Sequence, residues 1–248
     1  MDGEKNENLM NLSSAQTILS SIVMNSSAFI EPKKDQAGNI IGGDVTTGNV
    51  TEVGLINYLV AAGADAKAQI KERKAQAPCL SIPFSSARKR ATTAFLIDDG
   101  ATVRVYCKGA PEMVIKTCEY MIGPNGEKIE LDEEKKDYCI NTIVKQYAAK
   151  CLRTLLISYV DYPVDEFNAM KEQNNDFKTA DDMETVETEL TMVGIFGLKD
   201  PLREGIRDAV IKCHAAGINV RMVTGDNIDT AKAISLEAGI LCEADLVD

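Results

Sequence analysis

Residues 92–111, TTAFLIDDGATVRVYCKGAP, decide the fold class of this chain. Two runs of β-branched and apolar residues flank Asp98-Asp99-Gly100, and this pattern predicts a β-hairpin. Because side chains alternate across a strand, every second residue of the second strand shares a face. The two predicted sets are Val103, Val105 and Cys107 on one side, and Arg104, Tyr106 and Lys108 on the other.

The seam after this hairpin joins a strand to a predicted helix that begins at Pro111, with Met113, Val114 and Cys118 as its core face. Gly109 permits the turn at low conformational cost. A turn alone does not require Lys108, however, and a cation beside a helix N-terminus is typical of an anion site. A simple strand-to-helix turn and an anion site both remain possible interpretations at this point.

The chain carries a strong negative charge: its 248 residues give a formal net charge of −11. A charge of this sign argues against nucleic acid as a partner. It also means that any phosphate-binding site needs a local positive cluster.

The longest apolar runs, such as Thr154–Val160 and Thr191–Leu198, are far shorter than the ~18–20 residues of a membrane helix. Since the amino terminus is polar and unlike a signal peptide, we expect a soluble chain without membrane contact of its own.

The seven cysteines are scattered through the sequence and form no CxxC pair. With a single histidine in the chain, no zinc site is expected. The cysteines therefore predict reduced, buried thiols in a cytosolic protein.

Periodicity elsewhere in the first 198 residues predicts strands mixed with helices. The predicted helices cover residues 13–25, 49–63, 67–74 (solvated) and 131–150. The predicted strands cover residues 152–160 and 190–198, and the predicted loops cover residues 31–48 and 161–188. This order indicates an α+β fold, with an antiparallel sheet flanked by helix pairs.

Residues 199–248 have a different pattern, in which two predicted helices alternate with the strand INVRMVTGD, residues 218–226. A β–α–β–α order predicts a parallel sheet, and this one is too short to close by itself. The stretch Thr224-Gly225-Asp226 lies where the strand ends and the helix begins, which is where such folds bind ligands. Asp226 either caps the helix or handles magnesium or a phosphoryl group.

Basic residues cluster at Arg88-Lys89-Arg90, Lys108 and Arg153. These are the candidates for a phosphate-binding patch, although residues 88–90 also fit a solvated strand flank and Arg153 an ordinary surface position. Phe84 could stack on a base or pack in the core.

Glu52 fits a capping box with Asn49, in which its carboxylate reaches back to the Asn49 amide. Spacing alone favours this capping role over contact with a ligand. The sequence contains no GxxxxGK[ST] loop, GxSxG elbow or HExxH motif, and no DKTGT stretch that would supply an aspartyl nucleophile.

Six motifs together resemble the P-type cation-transporting ATPases, in the order found in that family and over nearly the whole chain. They are TE (51–52), PFSSARKR (83–90), KGAPE (108–112), CLRTL (151–155), DPLR (200–203) and VRMVTGDN (220–227). The last motif with its continuation most resembles the plasma-membrane, calmodulin-linked type of calcium pump. The resemblance implies that residues 1–198 are a nucleotide-binding domain. It also implies that residues 199–248 begin a haloacid-dehalogenase-like phosphorylation domain, which is incomplete here.

The resemblance also implies a role for each matching residue. The adenine of ATP would stack on Phe84, with Glu52 near its amine. The rest of the pocket and the phosphate end would be formed by Lys89, Lys108, Gly109 and Arg153. The residues at the domain hinge would be Asp200 and Arg203, and those facing the phosphoryl-transfer centre would be Thr224, Gly225 and Asp226. The sequence departs from sarcoplasmic-type members at Ser86, where they carry an arginine, so one phosphate contact is expected to be missing.

The implied function is to bind ATP for phosphoryl transfer to an aspartate that would precede residue 1. In the parent pump, at the cytosolic face of a membrane, this would drive calcium export. The magnesium-binding GDGxND motif would follow residue 248, so we expect this chain to leave most Mg²⁺ ligands to other segments. Alone, it is expected to bind ATP weakly and not to turn over. The expected partners are ATP and the other domains of the pump, with calmodulin as a regulator of the parent.

Two alternatives come from other functional classes. The first is a pump-like domain whose nucleotide site has decayed and whose acidic segment 161–188 contacts proteins. The second is a free-standing phosphatase built on the parallel segment, which lacks a nucleophile.

Overall fold

A computed structural model describes residues 9, 12–199, 202–225 and 228–246. The α-helices in this part of the chain are α1 (Ala15–Met24), α2 (Val50–Ala61), α3 (Ala66–Ala75), α4 (Pro111–Val114), α5 (Glu133–Tyr138), α6 (Lys145–Ala149), α7 (Val164–Gln173), α8 (Ala180–Met183), α9 (Ile206–Ala215) and α10 (Ile228–Ala238). The strands are β1 (Phe29–Lys34), β2 (Ile40–Thr47), β3 (Leu80–Ile82), β4 (Arg90–Ile97), β5 (Thr102–Gly109), β6 (Cys118–Ile122), β7 (Lys128–Glu130), β8 (Leu152–Pro163) and β9 (Leu190–Lys199). A π-helical segment, Cys139–Val144, joins α5 to α6. The predicted α+β class is therefore confirmed.

The chain divides into two units. The first comprises Met1–Glu133 and Leu156–Ile195, and the second comprises Glu134–Leu155 and Phe196–Asp248. The predicted division into domains of residues 1–198 and 199–248 stays a prediction.

A seven-stranded sheet has the strand order β3-β4-β5-β8-β9-β6-β7. The predicted hairpin forms β4 and β5, which pair antiparallel from Arg90 opposite Gly109 to Ile97 opposite Thr102. The other edge of β5 pairs antiparallel with β8. Strands β6 and β9 pair in parallel, so the sheet is mixed, whereas the sequence predicted an antiparallel one.

The β4–β5 hairpin buries side chains on both of its faces. On one face Phe95 and Tyr106 pack with Met24 of α1, and α1 in turn contacts α2 and α3. On the other face Val105 and Cys107 are fully buried, and helix α7 contacts β5. Burial of a large apolar side chain contributes about 1.5–3 kcal/mol to the free energy of unfolding. The buried side chains on both faces of β4 and β5 therefore stabilise these strands within the first unit.

The predicted loop over residues 31–48 is wrong, because β1 and β2 form an antiparallel hairpin there. The turn occupies only Asp35–Asn39, where Asp35 Oδ1 accepts hydrogen bonds from the amides of Ala37 (2.9 Å) and Asn39 (2.8 Å). Gly38 adopts φ +88° in this turn, a conformation that glycine reaches easily. The many glycines and polar residues of the segment concealed its β-branched residues, which pair across the hairpin.

Two further predictions in the first unit are wrong. The helix after Pro111 is a single turn, α4, and Cys118 begins strand β6 where the sequence predicted helix. The predicted acidic loop over residues 161–188 contains the end of β8, helix α7 and helix α8. Phe167 and Phe177 are buried in this segment and pack edge to face, with ring centroids 5.6 Å apart. These two aromatic rings fix a segment whose acidity suggested solvent exposure.

In the second unit, the two predicted helices form as α9 and α10. The predicted strand between them is wrong for described residues 218–225, which form no strand. A strand needs a neighbour to pair its backbone groups, and the described residues between α9 and α10 pair with none. The haloacid-dehalogenase-like assignment of residues 199–248 is therefore not confirmed.

Two exposure predictions also need correction. Arg73 on α3, in the segment predicted to be solvated, is buried. The cysteines are all free, but Cys79 and Cys242 are exposed where buried thiols were predicted. Among the helices that the structure describes, none is both long and apolar enough to cross a bilayer.

Candidate functional site

Gly109 lies at a point where two backbone segments touch. A Cβ atom on Gly109 would lie 2.6 Å from Arg90 Cβ and 2.8 Å from Arg90 Cα, and would collide with the Lys89 carbonyl oxygen. The next amide, of Ala110, donates a hydrogen bond to that carbonyl (2.9 Å). The glycine at the seam is therefore required by close approach, and it brings Lys89 beside the end of β5.

Lys108 turns its ammonium group inward, and its side chain is 11% exposed. The Nζ atom donates to the carbonyl oxygen of Asn25 and to Glu52 Oε1. Burial lowers the pKa of Lys108, and nearby Arg73 lowers it further, while the Glu52 carboxylate acts in the opposite direction. In this structure Lys108 is thus an internally paired cation at the predicted seam. Because α4 is a single turn, its N-terminus alone supports no anion site, and the predicted contact of Lys108 with ATP stays a prediction.

Glu52 stands in the first turn of α2, but it does not close a capping box. Asn49 caps the helix through a hydrogen bond from the amide of Thr51 (3.0 Å). Glu52 Oε2 instead accepts hydrogen bonds from the amide (2.8 Å) and the hydroxyl (2.7 Å) of Ser27. Burial alone would raise the pKa of Glu52, but the charge of Lys108 and the hydrogen bonds from Lys108 and Ser27 lower it. The predicted capping role is wrong.

Arg73 completes this cluster from helix α3. Its guanidinium donates to the carbonyl oxygens of Val23 (2.9 Å), Ser26 and Ala28 (2.7 Å). We call the segment Val23–Ala28, which comprises the last two residues of α1 and the four that lead to β1, the α1–β1 turn. Its carbonyl groups thus bind two buried cations, Arg73 and Lys108, and its Ser27 binds Glu52. Neither the α1–β1 turn nor Arg73 was predicted to belong to the site, because no sequence motif links them.

The acid titration of Glu52 gives a testable prediction. The pKa of Glu52 lies below its ordinary value of 4.5 in the folded chain. The unfolded chain therefore binds more protons as the pH falls, so the stabilisation is full above 4.5 and is lost as the pH drops through the folded pKa. We expect the difference in unfolding free energy between wild type and Glu52→Gln, measured by urea denaturation, to be largest near neutral pH and to shrink below 4.5. A difference that is independent of pH would contradict this role.

Phe84 and Lys89 project from the loop between β3 and β4, which spans Phe84–Lys89. Phe84 is 64% exposed, so the interpretation that it packs in the core is wrong. The amide of Lys89 donates to the carbonyl of Ser85 (2.8 Å), which closes a compact turn. The Lys89 side chain is 47% exposed and 3.6 Å from Glu112 Oε1. An exposed ion pair at this distance is weak, so the Lys89 ammonium group remains available to bind an anion.

Arg88 and Arg90 are not the solvated strand flank that the sequence favoured. Both guanidinium groups are largely buried and pair with Glu184 and Glu187. Only Lys89, of the three consecutive cations, therefore faces solvent. The partners lie in the segment predicted as an acidic loop, so part of its negative charge is neutralised inside the first unit.

The other predicted site residues belong to the second unit. Arg153 is an exposed residue near the start of β8, and Arg203, Thr224 and Gly225 are also exposed. Asp200 and Asp226 lie outside the described residues. The structure thus brings together Glu52 with Lys108, and Lys89 with Gly109, within the first unit.

The family comparison agrees with this architecture. A family model described as "P-type ATPase, cytoplasmic domain N" matches residues 13–205, and this chain belongs to that family. Among curated proteins, the chain is 38% identical over 231 residues to "Calcium-transporting ATPase 4, plasma membrane-type" of Arabidopsis thaliana, which covers 93% of this chain and 20% of the relative.

Two further relatives are of the same type. "Putative calcium-transporting ATPase 11, plasma membrane-type" of Arabidopsis thaliana is 40% identical over 78% of this chain and 17% of its own length. "Probable calcium-transporting ATPase 9, plasma membrane-type" of Oryza sativa subsp. japonica is 35% identical over 98% of this chain and 21% of its own length. The chain therefore spans about a fifth of the length of these relatives, and the predicted similarity to plasma-membrane-type calcium pumps is confirmed.

Proposed function

We propose that this chain is the ATP-binding portion of a calcium-transporting P-type ATPase. The observation that carries the proposal is the β3–β4 loop, Phe84–Lys89, which we call the nucleotide loop. It presents an exposed aromatic ring and an exposed, weakly paired lysine. Stacking of a base on an aromatic side chain contributes about 1–3 kcal/mol. In a chain with a net charge of −11, a local cation is what a phosphate group needs nearby. We therefore assign adenine to Phe84 and the phosphates to Lys89.

The remaining assignments follow the family resemblance. Lys108, Gly109 and Glu52 would form the wall of the pocket, and Arg153 would approach the phosphates. The hinge would be formed by Asp200 and Arg203, and the groups facing the phosphoryl-transfer centre would be Thr224, Gly225 and Asp226. Gly109 contributes by letting the end of β5 lie against Lys89. The paired Glu52 and Lys108 contribute a fixed polar wall rather than a free charge.

In the whole pump, the γ-phosphoryl group of ATP would pass to an aspartate supplied by another segment, and this transfer would drive calcium export. Mg²⁺ would neutralise charge on the phosphates, and most of its ligands would come from other segments. Residues 1–198 would act as the nucleotide-binding domain and residues 199–248 as the start of the phosphorylation domain. Calmodulin regulation of the parent rests on the family resemblance alone. We expect no phosphate release from ATP by this chain alone.

The alternative of a decayed module that binds proteins through an acidic loop gains no support. Glu187 of that segment is buried and pairs with Arg88 and Arg90, so it is not available to a partner. The phosphatase alternative gains none either, because the described residues 218–225 do not form the strand on which it depended.

A calorimetric titration with ATP tests the proposal. We expect a dissociation constant of the order of 0.1 mM to several mM, about −3 to −5.5 kcal/mol. Phe84→Ala and Lys89→Ala should each weaken binding by about tenfold, since stacking and a charge-assisted contact are removed. Tyr58→Ala and Lys67→Ala, which truncate an exposed aromatic residue and an exposed lysine elsewhere, are the matched controls. Equal affinities for all five proteins would refute the assignment.

A further inference from the structure

Two arginines of the first unit share one buried carboxylate. Glu187, whose side chain is 0% exposed, accepts hydrogen bonds from Arg88 Nη2, Arg90 Nε and Thr92 Oγ1, each at 2.5 Å. Glu184 also contacts both guanidinium groups, through Arg88 Nε and Arg90 Nη2 (3.3 Å). We call these five residues the arginine clamp. It is anchored at β4 and at the end of the segment that follows α8.

The clamp holds the residues on either side of Lys89. Lys89 itself adopts φ +52°, in the left-handed region that non-glycine residues rarely occupy. Its amide donates to Ser85 and its carbonyl accepts from Ala110, so its backbone is fixed from both directions. A displacement of the backbone at Arg88 or Arg90 would act against the hydrogen bonds of that residue to Glu187, and separating a buried charge pair is strongly unfavourable.

The side chains of Phe84 and Lys89 make few contacts of their own, in contrast to the backbone that carries them. Phe84 is mostly exposed, and Lys89 makes one long, exposed ion pair. An exposed ring and an exposed lysine gain affinity for a ligand when their backbone is already in the bound arrangement, because less freedom is lost on binding. The arginine clamp holds the backbone of the loop through Glu187, which lies 97 residues after Arg90 in the sequence.

We propose that Glu187 is a positioning residue for nucleotide binding, acting through Arg88 and Arg90 on the nucleotide loop. This inference rests on the proposed function. It assigns the acidic residues after α8 a role in forming the ATP site. Glu187 does not touch the nucleotide, and its effect is carried by the placement of Phe84 and Lys89.

Two variants test the clamp by different routes. Glu187→Gln keeps the shape of the side chain and removes the charge. The triple variant R88M/R90M/E187M removes the clamp without leaving either arginine unpaired, and apolar replacement of a buried ion network is often tolerated by the fold. Asp161→Asn is the control, because it weakens the Arg104–Asp161 ion pair of 2.6 Å on the same sheet, between β5 and β8.

The affinities for ATP and adenosine are measured by calorimetry. We expect both ligands to bind about five- to tenfold more weakly to the two clamp variants, and within twofold of wild type to Asp161→Asn. Adenosine carries no phosphate, so its affinity reports the position of the loop and not the loss of positive charge. A loss confined to ATP, or unchanged affinities for both ligands, would overturn the positioning role.

Hydrogen exchange of the Lys89 and Ala110 amides provides a readout that needs no nucleotide. Both amides bond within or onto the nucleotide loop, so they should exchange about tenfold faster in the clamp variants than in Asp161→Asn. If wild type binds no ATP, the proposed function fails, and exchange at these two amides then decides whether the clamp holds the loop. Unchanged exchange would show that it does not.

Discussion

Arg73→Met should lower the free energy of unfolding by about 3 kcal/mol or more. The guanidinium group of Arg73 satisfies three carbonyl oxygens of the α1–β1 turn, and each buried acceptor left without a partner costs about 1–3 kcal/mol. Methionine keeps most of the apolar stem, so the loss reports the hydrogen bonds. Urea denaturation followed by circular dichroism measures the effect.

The control for this variant is Lys71→Met, on the exposed side of the same helix. A surface substitution of this kind usually changes stability by less than about 0.5 kcal/mol. The ATP affinity of Arg73→Met, measured where the variant is still folded, should also fall, because the α1–β1 turn positions both Lys108 and Glu52. Equal stability of the Arg73 and Lys71 variants would show that the turn does not depend on Arg73.

Gly109→Ala should destabilise the first unit by about 2–3 kcal/mol, because added atoms in a packed site force the backbone to move. The new methyl group would meet the backbone of Lys89 and Arg90, which cannot yield as a flexible side chain would. Strands β4 and β5 would have to separate at their open end, where the nucleotide loop ends. Thermal and urea unfolding measure the loss of stability, and an ATP titration measures the accompanying loss of affinity.

Gly43→Ala provides the matched comparison, since a Cβ atom on Gly43 in strand β2 would meet no atom within 4 Å. A glycine-to-alanine change at a compatible position is neutral or stabilises by about 0.4–1 kcal/mol. If the two alanine variants were equally stable, the close approach at Gly109 would not be a constraint in solution.

Local patterns predicted the parts of the fold that depend on neighbours in sequence. The β4–β5 hairpin was predictable because apolar residues alternate on both sides of a short turn, and α1 because its apolar residues recur at helical spacing. The same reasoning failed for residues 31–48, where glycines interrupt a real hairpin. It also failed for residues 218–225, whose apolar run has no strand beside it among the residues that the structure describes.

The chemistry of the site depended on partners that are distant in sequence. Glu52 bonds Ser27 and Lys108, 25 and 56 residues away, so local spacing suggested a capping box. Arg88 donates a hydrogen bond to Glu184, which lies 96 residues away in the sequence. No local sequence pattern distinguishes this buried arginine from a solvated one. Motif order identified the family and drew attention to Phe84 and Lys89, but it could not distinguish an exposed lysine from one paired internally, such as Lys108.

The site that emerges has a rigid interior and an accessible rim. Lys108, Glu52 and Arg73 are paired around the α1–β1 turn, whereas Phe84 and Lys89 are presented to solvent by a loop whose flanking arginines are anchored. Under the proposed function, contact with ATP falls chiefly to the nucleotide loop. Substitutions in the interior should therefore change stability first, and those on the rim should change affinity with little change in stability.

An NMR titration of the ¹⁵N-labelled chain with ATP tests the central claim most directly. We predict saturable shifts, with a midpoint of the order of 0.1 mM to several mM, that concentrate on the amides of residues 84–89 and 108–112. The amides of the β1–β2 hairpin should remain in place. Absence of saturable shifts from a folded chain, or shifts that map to the hairpin and spare the nucleotide loop, would contradict the assignment of an ATP site here.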